Sequence, residues 1–290
     1  MGNRNYLPAL VFISLCIIWG STWIFIKLGL QDAPPFLSAG MRFVVATLIL
    51  FPLLKWRDLK IPREWKVLSI MLYTGIFAIS VSYGLVYWSE QFIPAGLTAV
   101  LFSTMPFFVI ILSHFMLSDD PLTINKIAGS VLGFSGVIVI FIDSLKIENP
   151  MAVWGTVGVV FASFCSAVSD VIIKKHSRSL HPIVLTTVQM FCGAVILFLL
   201  GVLFEDFQDF RITWRSVGSI VYLAVMGTSI AFIGFYWLIR QIRVSTASLL
   251  VFVIPIVALF LDWLIFGEVL NFRVWIGSFM VLGGIGIAVS

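Results

Sequence analysis

A few ionisable side chains interrupt the long apolar stretches of this 290-residue sequence. Lys27 and Arg42 stand in the first two stretches, Glu90 follows the third, and Asp262 stands in the ninth. A charge inside an apolar segment is costly unless it is paired or hydrated, so each needs a reason to be there. If the apolar stretches cross a membrane, these residues could form an ion-pair gate on its outer side, with Asp262 as the counter-ion of Arg42. Lys27 could equally extend its side chain to a membrane surface.

A second set of polar residues lies near the opposite ends of the apolar stretches, which would face the inner side of a membrane. Asp170 and Lys174 are spaced i,i+4 with the acid first, the favourable order for a local ion pair on a helix. With Gln189 they could form an inner gate, or the pair could be purely structural. Histidine exchanges protons near neutral pH, and His114 ends the fourth stretch, although a lone histidine near a membrane interface is more often only hydrated.

Aromatic and hydroxyl side chains could bind a solute. Aromatic rings stack on planar solutes and attract ammonium groups, but Trp and Tyr also gather at lipid interfaces. Hydroxyls donate to and accept from polar solutes, or bond back to their own helix. The candidates for substrate binding are Trp19, Ser21, Tyr83, Tyr87, Phe102, Ser103, Ser163, Ser166, Tyr236 and Trp237.

Composition identifies the elements that position these residues. The chain is 60% hydrophobic and 11% charged, with a mean hydropathy of +1.10, which excludes a soluble globular domain and a disordered chain. A helix needs about 20 apolar residues to cross a bilayer. Ten segments satisfy this length, at 8–30, 36–54, 66–88, 94–117, 123–142, 152–173, 182–204, 216–238, 244–266 and 272–289.

The loops between these segments predict the orientation. With the N-terminus inside, the cytoplasmic segments hold 12 Lys and Arg and the outer segments hold four, which places both termini in the cytoplasm of a cell (inner) membrane. No GxxxxGK[ST] loop, disulfide framework or metal-ligand spacing occurs, so we expect no ATP hydrolysis and no cofactor. The basic balance reflects topology, and nucleic acid is not an expected partner.

The two halves of the chain resemble each other at a nearly constant offset of 147 to 149 residues. Tyr87-Trp88 recurs as Tyr236-Trp237, Pro106 as Pro255, and Lys27 and Arg42 as Lys174 and Gln189. Five segments per copy is an odd number, so the second copy enters the membrane from the opposite side. We therefore predict an all-α membrane protein with two inverted five-helix repeats, at 1–147 and 148–290, around a central cavity. Pro106 and Pro255 are predicted helix kinks near it.

The residues resemble those of the EamA family of the drug/metabolite transporter superfamily. The resemblance rests on Trp19-Gly20-Ser21-Thr22, Lys27, Arg42, the paired prolines and Gly267-Glu268, and it covers both halves. Ser118-Asp119 replaces the Gly-Glu pattern in the first half. The resemblance implies alternating access without ATP. Its characterised members include exporters of amino acids and other metabolites, the YddG type handling aromatic amino acids.

We therefore expect a secondary exporter of small organic metabolites. The expected substrates are amino acids, including aromatic amino acids, or related compounds. Expected partners are this substrate and membrane lipid, with the chain a monomer or a weak homodimer. A membrane-embedded enzyme is an alternative, but its catalytic clusters are missing from the sequence. A channel or a structural membrane protein without carrier activity is the other alternative.

Overall fold

The computed structural model describes residues 6–145, 151–266 and 271–290; the side chains of Lys27, Ser144, Asp262 and Phe266 lie outside the description. Throughout the described ranges the regular structure is helical, without strands. Ten long segments follow one another: α1 (Leu7–Gly29), α2 (Pro35–Trp56), α3 (Trp65–Ser89), α4 (Ala95–Met116), α5 (Ile124–Ile140), α6 (Met151–Lys175), α7 (Pro182–Phe204), α8 (Trp214–Gln241), α9 (Val244–Ile265) and α10 (Phe272–Val289).

The lengths and apolar composition of these segments fit a bilayer. In the part of the chain that the structure describes, every segment except α5 has at least 18 residues and enough hydropathy to cross a membrane. The α5 helix has 17 residues, about 25 Å at 1.5 Å per residue, which is the lower limit for a span. The prediction of an all-helical, multi-pass membrane protein is confirmed.

Helix contacts repeat between the two halves of the chain. α1 packs on α8 and α9, and α6 packs correspondingly on α3 and α4. α2 pairs with α7, and α5 pairs with α10, so each of these pairs joins the two repeats. Two inverted five-helix repeats related by a pseudo-two-fold axis account for this matching pattern of helix contacts. The predicted boundary between them, at 147/148, falls outside the described residues.

The α5–α10 pair is packed so closely that glycine is required at its contacts. A Cβ on Gly129 would lie 2.4 Å from the carbonyl oxygen of Gly284, and one on Gly136 would lie 2.6 Å from that of Gly277. Small residues let membrane helices approach each other in this way. This pair therefore serves as a rigid brace at the edge of the bundle.

The helices nearer the centre are irregular. α3 and α8 each contain a π-helical segment, Gly75–Val81 and Leu223–Ile230, at matching places in the two repeats. α4 is interrupted at residues 103–104 and α9 at Leu249. Such irregularities leave backbone groups without their helical partners and often mark functional sites.

The paired prolines differ in their relation to these breaks. Pro106 is in the first turn of the second half of α4, where its missing N–H costs nothing, so it lies at the predicted break. Pro255 lies inside the second half of α9, six residues after the break at Leu249. The kink that we predicted at Pro255 is therefore displaced toward the start of α9.

Candidate functional site

A cavity of about 200 Å³ lies between the repeats and takes its lining from α1, α2, α3, α4, α6, α8 and α9. The structure brings together many of the residues predicted from the sequence. Those that line the cavity are Trp19, Arg42, Tyr83, Tyr87, Glu90, Phe102, Ser166, Asp170, Tyr236 and Pro255. Because both repeats contribute, a movement of one against the other would change the shape of the cavity.

Aromatic rings from both repeats form much of the cavity wall. Trp19 of α1 packs edge-on against Phe232 and Phe235 of α8, with ring centroids 5.5 and 5.3 Å apart. Tyr83 of α3 packs edge-on against Phe43 of α2 at 5.3 Å. Edge-to-face packing fixes the rings and leaves an apolar surface that can accept the flat or branched side chain of a solute.

The carbonyl oxygen of Gly227, in the π-helical segment of α8, holds two cavity residues of the first repeat. It accepts a hydrogen bond from Nε1 of Trp19 at 3.1 Å and one from Nη2 of Arg42 at 3.3 Å. A Cβ on Gly227 would lie 2.6 Å from Cγ2 of Thr22, so glycine allows α1 this close approach. The irregular segment thus positions both side chains.

Arg42 is buried, with 2% of its surface exposed, and its partners are uncharged. Nε donates to Oγ1 of Thr228 at 2.7 Å, and the guanidinium lies 5.5 Å from the ring centroids of Phe43 and Tyr83. Among the described residues no carboxylate lies within ion-pair distance of it. The predicted counter-ion Asp262 and the nearby Lys27 have side chains outside the described residues, so the Arg42–Asp262 pair stays a prediction.

The predicted Asp170–Lys174 pair is wrong. Nζ of Lys174 donates to the carbonyl oxygens of Ile239 and Ile242 at 3.0 and 2.9 Å and lies 4.0 Å from Oδ2 of Asp119. The last carbonyls of a helix lack intrahelical partners and attract cations, so the end of α8 binds the lysine instead. Asp170, 5% exposed, is left facing the cavity.

Gln189 is fully buried beside the cavity and is satisfied by protein groups. Nε2 donates to Oγ1 of Thr74 at 2.8 Å, and Oε1 accepts from the hydroxyl of Tyr236 at 2.5 Å. It therefore connects α7 to α3 and α8 and does not line the cavity.

Several predicted residues lie away from the cavity. The hydroxyls of Ser103 and Ser163 bond to Ala99 O and Val160 O of their own helices, and Ser163 also contacts Thr104. Ser21 contacts Ile18 O and the hydroxyl of Tyr222. The exposed His114 accepts from the backbone N–H of Leu122 through Nδ1, and Trp237 packs in the core. For Ser21, Ser103, Ser163, His114 and Trp237 the prediction of a site role loses its geometric support, because local bonds or packing occupy them.

The structure also adds cavity residues that the sequence reasoning missed, among them Trp23, Ser82 and Phe232. The repeat offset could have found two of them. Trp23 precedes Asp170 by 147 residues, and Tyr83 precedes Phe232 by 149. Ser82 is hydrogen-bonded to Ser166 across α3 and α6 at 2.9 Å.

A further missed feature is a buried polar cluster that joins the repeats where α4 and α8 end. We call Asp120, Lys126 and Ser245 the polar seam. Asp120 accepts from Nζ of Lys126 at 2.5 Å, from the hydroxyl of Ser245 at 2.6 Å and from its N–H at 3.0 Å. Asp120 is 0% and Lys126 4% exposed. The seam fastens the α4–α5 loop to the start of α9.

Comparison with known proteins agrees with this architecture. The chain is 29% identical over 279 residues to the uncharacterized transporter YoaV of Bacillus subtilis, covering 94% of this chain and 93% of YoaV. It is 28% identical over 281 residues to the uncharacterized inner membrane transporter YedA of Escherichia coli, covering 95% and 89%. A solved crystal structure with 17% identity has the same fold, with a TM-score of 0.83 over 97% of this chain and 96% of that one.

The family comparison covers both repeats. The EamA-like transporter family matches residues 7–142 and again residues 153–290. The family resemblance drawn from the sequence is thereby confirmed, and the chain is a multi-pass membrane protein of a transporter family. It belongs to the EamA-like transporter family.

Proposed function

We propose that the chain is a secondary carrier that exports amino acids, aromatic ones among them, by alternating access. The observation that carries this proposal is the cavity between the repeats, with aromatic walls and a buried guanidinium without a carboxylate partner among the described residues. Arg42 would bind the carboxylate of the solute by charge-assisted hydrogen bonds. Trp19, Tyr83 and Phe232 would surround its side chain.

The contacts at one end of the cavity hold the two repeats together. The polar seam joins the repeats where α4 and α8 end, and Lys174 joins α6 to the end of α8 nearby. By the charge bias of the loops, this end is cytoplasmic and both termini lie in the cytoplasm. Export would require the seam and the Lys174 contacts to separate. The outer gate would involve Glu90, Lys27, Arg42 and Asp262.

Counterflow in proteoliposomes tests the proposal directly. Vesicles are preloaded with an unlabelled amino acid, and uptake of the labelled form is followed, with phenylalanine, tryptophan, leucine and lysine as the series. A carrier gives transient accumulation of label above equilibrium. Simple equilibration would indicate a channel, chemical conversion of the label would indicate an enzyme, and the absence of flux for the whole series would contradict amino-acid transport.

Two tryptophans provide a matched pair of variants for the same assay. Trp19 and Trp237 are both half-buried and pack against the same core, but Trp19 lines the cavity and Trp237 does not. Trp19→Ala should reduce the affinity for phenylalanine about tenfold, since aromatic contacts contribute on the order of 1 kcal/mol. Trp237→Ala should keep the affinity of the wild type. Equal effects of the two substitutions would remove Trp19 from the binding site.

A further inference from the structure

Asp170 is a buried carboxylate without a hydrogen-bond or ion-pair partner among the described residues. It is 5% exposed, lines the cavity, and stands on α6 one turn after Ser166. In the described parts of the chain no group donates a hydrogen bond to it and no cation lies within ion-pair distance. The nearest basic residue along the helix, Lys174, is held by the carbonyls at the end of α8. An ionised carboxylate in such a place is costly unless a ligand compensates it.

The other polar groups around Asp170 are already satisfied. Ser166 is bonded to Ser82, and the hydroxyl of Tyr236 donates to Gln189. Among the described residues, Asp170 is therefore left as an acceptor without a protein donor, beside the aromatic rings of the cavity wall. A carboxylate beside aromatic rings suits a cationic group, because both attract positive charge.

Two buried ionisable residues of the cavity lining, Arg42 and Asp170, come from different repeats. Arg42 belongs to α2 and Asp170 to α6, and no ion pair joins them. Arg42 is anchored by Thr228 and Gly227, so it is fixed in place and does not neutralise Asp170. A solute that carries both a cationic and an anionic group would compensate both charges at once.

We infer that Asp170 is a specificity-determining residue that binds the ammonium group of the solute. The inference rests on the proposed function, since it assigns the second charged group of the same solute. It predicts a preference that Arg42 alone would not give: solutes with an ammonium group bind better than analogues that have only the carboxylate.

Matched solutes separate the contributions of the two charged groups. The series is phenylalanine, 3-phenylpropanoate, which lacks the ammonium group, and 2-phenylethylamine, which lacks the carboxylate. Binding to the purified full-length protein is measured for the wild type, Asp170→Asn and Asp170→Glu. Asp209→Asn is the control, because Asp209 is an exposed carboxylate outside the cavity lining.

The wild type should bind phenylalanine about 10- to 100-fold more tightly than 3-phenylpropanoate, the range expected for a charge-assisted hydrogen bond. Asp170→Asn should abolish this preference and leave the affinity for 3-phenylpropanoate unchanged. Asp170→Glu should keep part of the preference, and Asp209→Asn should keep all of it. Thermal unfolding of each variant checks that the fold persists.

The outcomes distinguish this inference from the proposed function. Equal weakening of all three solutes by Asp170→Asn, absence of a preference in the wild type, or failure of both amines to bind would overturn the assignment of Asp170. Amino-acid counterflow would then still stand on its own. Conversely, Asp170-dependent binding of 2-phenylethylamine without amino-acid counterflow would support Asp170 as a cation site and contradict amino-acid transport.

Discussion

The second helix of each repeat carries a long polar side chain two turns from its start, and the two copies use it differently. Arg42 in α2 lines the cavity, and its protein partners are a hydroxyl, a carbonyl and ring faces. Gln189 in α7, 147 residues later, is fully buried between Thr74 and Tyr236. One position thus presents a charge to the cavity, and its counterpart joins helices inside the protein.

Other equivalent positions also differ between the two copies. Glu90, at the end of α3, lines the cavity, whereas its counterpart Ile239 is fully buried and binds Lys174 through its carbonyl. Trp23 and its counterpart Asp170 both line the cavity, but Trp23 presents an indole ring and Asp170 a carboxyl group. The duplicated backbone therefore supplies paired positions, and substitution in one copy makes the cavity chemically asymmetric. An asymmetric cavity can orient a solute that has different groups at its two ends.

The largest expected effect comes from making the second copy like the first. Gln189→Arg would place a guanidinium between Thr74 and Tyr236, where the buried side chain is not exposed to the cavity. An unpaired buried charge costs about 3–5 kcal/mol, so the variant should lose most of its folded population. Size-exclusion profiles and thermal unfolding in detergent measure this loss. Gln241→Arg, at an exposed position, is the matched control, and a wild-type melting temperature for Gln189→Arg would contradict the comparison.

The reverse substitution should affect function more than folding. Arg42→Gln keeps a side chain that can bond to Thr228 but removes the charge, so the affinity for amino acids should fall about 10- to 100-fold. Arg42→Lys should recover part of it, since the charge returns without the planar geometry. Counterflow and binding measure the effect, with the exposed Arg57→Gln as control. A loss of folding that matches the loss of affinity would show that Arg42 is structural.

The fold could be predicted from the sequence because it depends on long-range averages. The length of the apolar segments predicts the helices, and the constant offset predicts the repeats. Neither prediction depends on the interpretation of any single residue. Arg42 and Asp170 could be selected as candidate functional residues for a related reason, since a charge inside a span is costly unless it is paired or hydrated.

The detailed contacts could not be predicted because they depend on three-dimensional packing. The i,i+4 spacing of Asp170 and Lys174 allowed an ion pair, but the free carbonyls at the end of α8 come from a distant part of the chain and compete for the lysine. The polar seam depends on a similar long-range approach of Asp120 to Ser245. Hydroxyls such as Ser103 and Ser163 look alike in sequence whether they face a cavity or their own backbone.

The smallest expected effect concerns Glu90, the ionisable residue whose counterpart is Ile239. Burial raises the pKa of Glu90 from 4.5 to about 7. Because the folded pKa lies above the unfolded one, the stabilising effect of the neutral form is fully present below pH 4.5 and is lost as the pH rises through about 7. Glu90→Gln, which stays neutral like Ile239, should therefore lack this loss.

Melting temperatures of the purified protein between pH 5 and 8.5 test this difference. Relative to Glu90→Gln, the wild type should lose about 1–3 °C across this range, a small change because Glu90 is only half-buried. Glu64→Gln, at an exposed position just before α3, should follow the wild type. If the Glu90→Gln and wild-type profiles run parallel, Glu90 does not become charged in this range. The two ends of the cavity would then differ less in their electrostatics than the contrast between Glu90 and Ile239 implies.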